Sequence, residues 1–154
     1  MKQIKLSRGL IALVDDEDFE YLSQWKWSAH KGGNTFYATR TIWKGSIQNK
    51  VRMHRLILNT PKGMQVDHID HNGLNNQKHN IRNCNVQQNH FNVRSVSTTG
   101  YHGVYYDKKY IKACIQYNGK GIHIGNFKRE IDAARAYDQK AKELFGDFAY
   151  LNFK

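Results

Sequence analysis

Residues 66–94 read VDHIDHNGLNNQKHNIRNCNVQQNHFNVR, and this stretch decides the fold of the region around it. Asp67 and His68 stand side by side at its start, and a turn rich in Gly and Asn follows them. A hard divalent cation prefers oxygen ligands, which a carboxylate such as Asp67 and an Asn side chain both supply. Histidine is the residue whose ordinary pKa lets it take a proton from water near neutral pH. The stretch therefore indicates a phosphodiesterase site built around one metal ion.

The same residues predict a β-hairpin followed by a short helix. We expect a strand over 66–69, a return strand over 80–83 and a helix over 85–93, with the Gly/Asn segment as the turn. Neighbouring side chains on a strand point to opposite faces, so a local twist has to bring Asp67 and His68 toward one point. The sequence does not show that twist.

This stretch resembles the catalytic motif of HNH nucleases, specifically that of the phage-type homing endonucleases. The family pattern reads VDHIN, a short turn, LDNR, then NLR and QN; here the matching segments read VDHID, LNNQ, NIR and QN, with the spacing kept. The resemblance implies a ββα-metal arrangement in which Asp67 and Asn89 hold the ion and His68 is the general base. Asn80 is implied to tie the loop ends, so that His68 keeps its orientation. It further implies Mg²⁺, with Mn²⁺ as a substitute, and products with 5′-phosphate and 3′-hydroxyl ends.

The chain departs from the family pattern within the loop. Asn75 and Gln77 stand where the family commonly has Asp and Arg, so hydrogen bonds of two amides would replace a local ion bridge. His54, in MHRLIL, matches a histidine of the family and suits a packing or supporting role. Three more histidines lie within the motif: His71, His79 and His90. The sequence leaves open whether His71 or His90 joins the metal site or whether all three are exposed loop residues.

Charge and composition indicate an anionic partner. The formal net charge is +11, which favours nucleic acid or an acidic membrane. No apolar run approaches the ~20 residues that span a bilayer, and no signal-peptide pattern opens the chain. Two cysteines, Cys84 and Cys114, are too few for a disulfide scaffold and suit a reducing compartment. We therefore expect double-stranded DNA as partner, no membrane, no obligate protein partner, and a cytoplasmic location in a bacterial or phage-infected cell.

The segment before the motif predicts small antiparallel strands. Apolar pieces flank Ser7-Arg8-Gly9, an acidic run over 15–20 starts a short helix, and alternation over 36–43 and 51–53 indicates further strands. No acidic residue occurs from Tyr21 to Val66, whereas cations and aromatic residues interleave there. Either a basic face lies against phosphates, or Trp25, Trp27 and their neighbours form a core and the cations its solvated surface. Stacking of unpaired RNA on this face is a third reading.

The C-terminal part predicts three strands and one helix. We expect strands over 104–106, 111–117 and 122–124, an Asn118-Gly119 hairpin turn, and a helix over 129–145 closed by Gly146. The segment resembles the Apetala-type DNA-binding domain of plant ethylene-response factors, also found on phage HNH nucleases, through YHGV, AARAYD and GDFAYLNF. That resemblance implies a DNA-facing set on the sheet, with phosphate contact from the last member: His102, Tyr105, Lys112, Gln116, His123 and Lys120.

These observations predict an α+β protein made of two parts. Residues 1–95 form a small β-rich region leading into the nuclease motif at 54–94, 96–100 form a linker, and 101–154 form a three-stranded antiparallel sheet with one helix. The predicted function is that of a metal-dependent DNA endonuclease, of the homing type. The alternative is a sequence-specific DNA-binding regulator that does not cleave. Its mark would be loss of Asp67, His68 or Asn89, and all three are present.

Overall fold

The computed structural model describes residues 1–92 and 97–153. Within these ranges it is α+β, as predicted, with four α-helices and several small antiparallel sheets. The chain divides into two compact units, Met1–Val86 and Gln87–Lys154. Positions 93–96, which include the end of the predicted motif helix and the start of the predicted linker, lie outside the described residues.

The first unit begins with a two-stranded ribbon and a helix. Strands β1 (Lys2–Lys5) and β2 (Ile11–Val14) pair antiparallel around a short 3₁₀ turn. Helix α1 (Asp16–Ser23) follows directly. Its first turn carries Asp16, Glu17 and Asp18, where negative side chains are favoured by the helix dipole. The predicted strand pair and helix start are therefore both present.

A three-stranded antiparallel sheet comes next. It consists of β3 (Ser28–Gly32), β4 (Thr35–Lys44) and β5 (Ile47–Arg52), in that spatial order. Helix α2 (Met53–Ile57) follows β5 without a loop. Its five residues are too few to show a helical period in the sequence, which explains why only an apolar segment was recognised there.

The first core lies between the ribbon, α1 and the base of this sheet. Trp27 is 3% exposed, and its indole nitrogen donates a hydrogen bond of 2.9 Å to the carbonyl oxygen of Leu22. Trp25 packs against the same cluster. The interpretation of both tryptophans as core residues is therefore correct. The buried members of the core are Ile4, Leu6, Ala12, Val14, Leu22, Trp27, Ala29, Ala38 and Met53.

The motif residues form a second small hairpin. Strands β6 (Gln65–His68) and β7 (Ile81–Cys84) pair antiparallel. The loop between them is held to the ribbon, because Leu13 N donates to Leu74 O at 2.8 Å and Asn76 N donates to Leu13 O at 2.8 Å. Helix α3 (Val86–Phe91) begins two residues after β7, at the boundary between the units.

The second unit is a helix laid on a three-stranded antiparallel sheet. Strands β8 (Val104–Asp107), β9 (Tyr110–Tyr117) and β10 (Lys120–Phe127) pair in chain order, and α4 (Glu130–Phe145) covers one face. Asn118 and Gly119 both have positive φ, 50° and 75°, which is what a two-residue hairpin turn requires. The buried hydrophobic residues of this unit, four of them alanines, lie on β8, β9 and α4: Val104, Ala113, Ile115, Ala133, Ala134, Tyr137 and Ala141.

Candidate functional site

The hairpin β6–β7 buries Asp67 and His68 next to each other, at 5% and 6% exposure. The register pairs Asp67 with Arg82 and His68 with Ile81. The guanidinium of Arg82 donates two hydrogen bonds to Asp67 Oδ2, from Nε at 2.9 Å and from Nη2 at 2.7 Å. Burial of a carboxylate is costly unless it is paired, so the two hydrogen bonds from Arg82 offset the cost of burying Asp67.

The rings of His54 and Tyr37 pack against the ring of His68. The His54 ring lies edge-on to the His68 ring, with centroids 5.1 Å apart and an interplanar angle of 80°. The Tyr37 ring contacts both histidines, and its centroid lies 5.5 Å from that of His54 and 5.8 Å from that of His68. His54 is 3% exposed. The imidazole of His68 is therefore held between a strand, a helix and the central strand of the sheet.

Burial favours the neutral form of both imidazoles. It lowers the pKa of His54 to about 3, and electrostatic interactions with His68, Arg52 and Arg55 act in the same direction. Burial also lowers the pKa of His68, although the side chain of Asn76 and the carboxylates of Asp70 and Asp67 oppose it. A neutral imidazole is the form that accepts a proton, so the ground state of His68 suits a general base.

Asn80 ties together the two ends of the loop between the strands. Its side chain is 4% exposed, and Nδ2 donates to Asp70 Oδ1 at 2.9 Å and to the carbonyl oxygen of Asn75 at 2.8 Å. Its Oδ1 accepts the amide of Asp70 at 3.1 Å, and its backbone oxygen accepts the amide of Ile69 at 2.9 Å. Asn80 thus fixes the two residues that follow His68, Ile69 through its backbone oxygen and Asp70 through its side chain.

Asp70 is the polar centre of the same loop. Partial burial raises the pKa of its carboxyl, but hydrogen bonds from Asn75, from the amide of Asn72 and from Asn80 outweigh burial and lower the pKa overall. Asn75 Nδ2 donates to Asp70 Oδ2 at 2.8 Å, while Gln77 Nε2 donates to Asp15 Oδ1 at 3.2 Å. The two amides that replace the charged pair of the family therefore each bind a carboxylate, rather than bridging to each other.

Sequence reasoning missed Tyr37, Asn76 and Gly73. A Cβ added to Gly73 would lie 2.5 Å from Phe36 O and 2.6 Å from the Tyr37 ring, so the loop approaches β4 too closely for a side chain. Gly73 N also donates to Thr35 Oγ1 at 3.0 Å. No local pattern signals this contact, because it joins β4 to a loop more than thirty residues later, as the 38-residue separation of that hydrogen bond shows.

A divalent cation fits this donor set only if the substrate completes its coordination. A carboxylate has about four lone-pair sites, so hydrogen bonding from Arg82 does not by itself prevent Asp67 from acting as a metal ligand. In residues 1–92 and 97–153 no group of three or more His, Cys, Asp and Glu side chains converges. Mg²⁺ commonly binds one or two carboxylates and takes its remaining ligands from water and phosphate. The site therefore suits a catalytic ion shared with a phosphodiester and not a closed structural metal.

The second predicted metal ligand and the nearby histidines lie on the motif loop and on α3. Asn89 lies on α3, which belongs mainly to the second unit, so its role as a ligand stays a prediction. His71, His79 and His90 are exposed. His71 has φ 63°, and its amide donates to His68 O at 3.0 Å, so its backbone helps close the turn after the motif.

The second unit carries the predicted DNA-facing residues on the open side of its sheet. Tyr105 pairs with Lys112, His123 pairs with Cys114, and Gln116 pairs with Gly121, so all these positions share one face. Ala113 and Ile115 point instead toward α4, as predicted.

The two remaining members lie at the margins of that face. Lys120 is exposed at the start of β10. The His102 ring lies 5.0 Å from the Tyr137 ring and 5.4 Å from the Tyr150 ring, so part of it packs within the unit. The assignment of all six residues to DNA binding stays a prediction.

Comparison with known proteins finds a relative that aligns along nearly the whole of this chain. The chain is 33% identical over 160 residues to a protein of Acanthamoeba polyphaga mimivirus named an uncharacterized HNH endonuclease, and the alignment covers 94% of this chain and 76% of that protein. No family model matches the chain, and no solved structure matches it. Among the described helices, none has both the length and the apolar character needed to cross a membrane.

Proposed function

The chain belongs to the HNH endonuclease family, and from that membership we propose that it is a metal-dependent endonuclease that hydrolyses phosphodiester bonds in double-stranded DNA. The observation that carries this proposal is the buried pair Asp67 and His68, at 5% and 6% exposure, beside a loop fixed by Asn80. The net charge of +11 supports a polyanionic substrate. We place the protein among the homing-type members, with 5′-phosphate and 3′-hydroxyl products.

In this proposal His68 removes a proton from the attacking water. Its imidazole is neutral, and the rings of His54 and Tyr37 limit how it can rotate. Asn80 fixes the backbone on the C-terminal side of His68 through Asp70 and Ile69. A positioned general base contributes about 10²–10⁴-fold to the rate. Asn80 is therefore a positioning residue for the reaction, and His68 is the catalytic residue.

Asp67 and Asn89 are the proposed ligands of the divalent ion, Mg²⁺ in the cell, with Mn²⁺ as a substitute. Such an ion, when bound, neutralises charge that develops on the phosphate and the leaving oxygen. Arg82 orients the Asp67 carboxylate through its two hydrogen bonds. Both assignments of ligands follow the family motif.

We further propose that residues 101–154 are an Apetala-type DNA-binding domain that selects the cleavage site. The support is a three-stranded sheet backed by one helix, with Tyr105, Lys112, Gln116 and His123 on its open face. None of these four residues is an arginine, so the base pairs recognised differ from those read by arginine–guanine contacts. Lys120 at the strand end would contact phosphate.

Conversion of supercoiled plasmid to nicked or linear DNA tests the proposed activity. The wild type is assayed with Mg²⁺, with Mn²⁺ and with chelator, beside His68→Ala and the control His79→Ala, which removes an exposed histidine of the same loop. We expect cleavage that needs the metal, is lost in His68→Ala and persists in His79→Ala. If plasmid carrying the natural target stays intact while duplex binding is tight, the proposal is wrong and the protein is a regulator.

A further inference from the structure

The hairpin β4–β5 has two faces, and its register tells them apart. Paired residues of antiparallel strands share a face, and alternate residues of one strand share it too. One face, here called the site-side face, consists of Tyr37, Thr39, Thr41 and Trp43 on β4 with Gln48, Lys50 and Arg52 on β5. The opposite, core-side face consists of Phe36, Ala38, Arg40, Ile42 and Lys44 with Ile47, Asn49 and Val51.

The site-side face runs continuously from the histidine pair to the tip of the hairpin. At its inner end Tyr37 contacts His54 and His68. The Arg52 guanidinium lies 5.7 Å from the Tyr37 ring centroid. Lys50, two residues before Arg52 on β5, is the next cation toward the tip of the hairpin. Trp43, whose side chain is 65% exposed, lies at the far end of the face. Beyond Thr39, which is buried, the side chains of this face are exposed. The face is thus a track that leads away from the general base.

Charge on this track is of one sign. No Asp or Glu occurs between Tyr21 and Val66, so neither strand places an acid beside Lys50 or Arg52. A rise of about 3.3–3.4 Å per residue sets these two cations about 7 Å apart. Two nucleotides of one B-DNA strand cover the same distance along the axis, at about 3.4 Å each.

Other cations of this region already serve the fold. The Arg40 guanidinium, on the core-side face, lies 3.8 Å from the Trp25 ring centroid and 5.7 Å from that of Trp27. Arg55 donates hydrogen bonds to the carbonyl oxygens of Met64, Thr60 and Pro61. These two arginines stabilise packing and loop structure, which separates them from the exposed cations of the site-side face.

We propose that the site-side face of β4–β5 docks the substrate duplex beside the scissile phosphate. Lys50 and Arg52 contact phosphates of one strand, and the Trp43 indole lies against sugar and base at the far end. This inference rests on the proposed function for the identity of the partner, duplex DNA. It adds a docking surface within the first unit that sets the register of the backbone relative to His68. The phosphate contacts of Lys50 and Arg52 position the substrate and carry no sequence information.

The test compares two lysines on opposite faces of one hairpin. Full-length wild type, Lys50→Ala and Lys44→Ala are titrated with a labelled duplex in chelator, where no cleavage occurs, at several salt concentrations. Each variant loses one positive charge from an exposed site. Removing one phosphate contact lowers the slope of log K against log salt by about 0.9. We expect that decrease for Lys50→Ala and an unchanged slope for Lys44→Ala.

Tryptophan fluorescence supplies a second, independent readout. The chain has three tryptophans, and Trp43 is 65% exposed whereas Trp25 and Trp27 belong to the core. We expect duplex to quench emission in the wild type and not in Trp43→Phe. Equal slopes for the two lysine variants, or quenching that persists in Trp43→Phe, would overturn the docking surface. Preferential displacement of the duplex by single-stranded RNA would overturn duplex DNA as its partner.

Failure of this inference is separable from failure of the proposed function. Binding is measured without metal, whereas the plasmid assay measures cleavage. A protein that cleaves in the plasmid assay and shows identical salt slopes for Lys50→Ala and Lys44→Ala retains its enzymatic function without this surface. A protein whose Lys50→Ala slope falls as expected but which never cleaves retains the surface without the chemistry.

Discussion

The two three-stranded sheets of this protein share a topology and differ in what covers them. Sheet β8–β10 is backed by the 16-residue helix α4, whose alanines Ala133, Ala134 and Ala141 are fully buried. Sheet β3–β5 has its inner end in the first core, while its β5 strand is almost entirely exposed. It also delivers Tyr37 to the histidine pair. The second sheet therefore has a helix over one face, whereas the first sheet carries a tyrosine that contacts the histidine pair of the candidate site.

The largest effect is expected on the cleavage rate, when a tyrosine of one sheet, Tyr37, is compared with a tyrosine of the other, Tyr105. Tyr37→Ala should lower the rate of cleavage by about 10²-fold, because a displacement of about 1 Å in a catalytic group costs that much. Tyr37→Phe keeps the ring contacts and should keep most of the rate. Tyr105→Ala, in the second sheet, should leave the single-turnover rate unchanged at saturating DNA. Single-turnover kinetics with urea denaturation as a folding check measures this, and equal rate losses at positions 37 and 105 would contradict the comparison.

Glycines give the next contrast, in stability. Gly73→Ala forces a methyl group against Phe36 O and the Tyr37 ring, and overpacking of this kind costs about 1–3 kcal/mol. Gly121→Ala, on β10, meets no atom within 4 Å and needs no positive φ, so its unfolding free energy should stay near that of the wild type. Chemical denaturation measures both. A Gly73→Ala protein as stable as Gly121→Ala would show that the loop does not press on β4.

The next effect is expected on the affinity for DNA and not on the cleavage rate. Gln116→Ala removes an exposed amide from the open face of β9, and loss of a base contact costs about 1–3 kcal/mol of binding free energy. The rate at saturating DNA should not change, since this residue lies outside the first unit. Fluorescence anisotropy with the natural target and with unrelated duplex measures the difference. Equal weakening on both sequences would make Gln116 a phosphate contact.

The smallest effect concerns pH. A hydrogen bond from the backbone amide of Lys78 lowers the pKa of the Asp15 carboxyl, and one from the Gln77 side chain adds to this effect. Partial burial raises the pKa, but the lowering effects outweigh it. Because the folded pKa lies below the ordinary value of 3.8, this contribution to stability is complete above that value and is lost as pH falls through the lowered pKa. The unfolding free energy of the wild type should therefore fall more steeply in this acidic window than that of Asp15→Asn. Parallel curves for the two proteins would contradict it.

Local patterns predicted most elements of both units, with the five-residue helix α2 as an exception. The alternation of Ile111, Ala113 and Ile115 predicted β9 and its helix-facing side, and Asn118-Gly119 predicted the turn after it. The HNH-like motif predicted the β6–β7 hairpin around Asp67 and His68. In each case the signal lies within a few residues of the structure that it describes, which is why the sequence suffices.

Contacts between distant residues could not be predicted in this way. The pairing of Arg82 with Asp67 depends on the register of a hairpin whose long loop is closed by Asn80, and loop length alone does not set that register. Tyr37 looks like an ordinary strand residue until Gly73 and His54 come near it. His54 was recognised only as a packing or supporting residue, because its partner rings lie on other elements.

The tether between the catalytic loop and the N-terminal ribbon has a consequence for folding during synthesis. Lys78 N donates to Asp15 Oδ2 at 2.7 Å across 63 positions of the chain, and Leu13 exchanges backbone hydrogen bonds with Leu74 and Asn76. The ribbon leaves the ribosome early and has to wait for these partners, and closing so long a loop costs entropy before any contact offsets it. The catalytic loop should therefore acquire its shape late, together with the ribbon, as one cooperative unit. A nascent chain would then contain His68 before the contacts that hold this residue in place have formed.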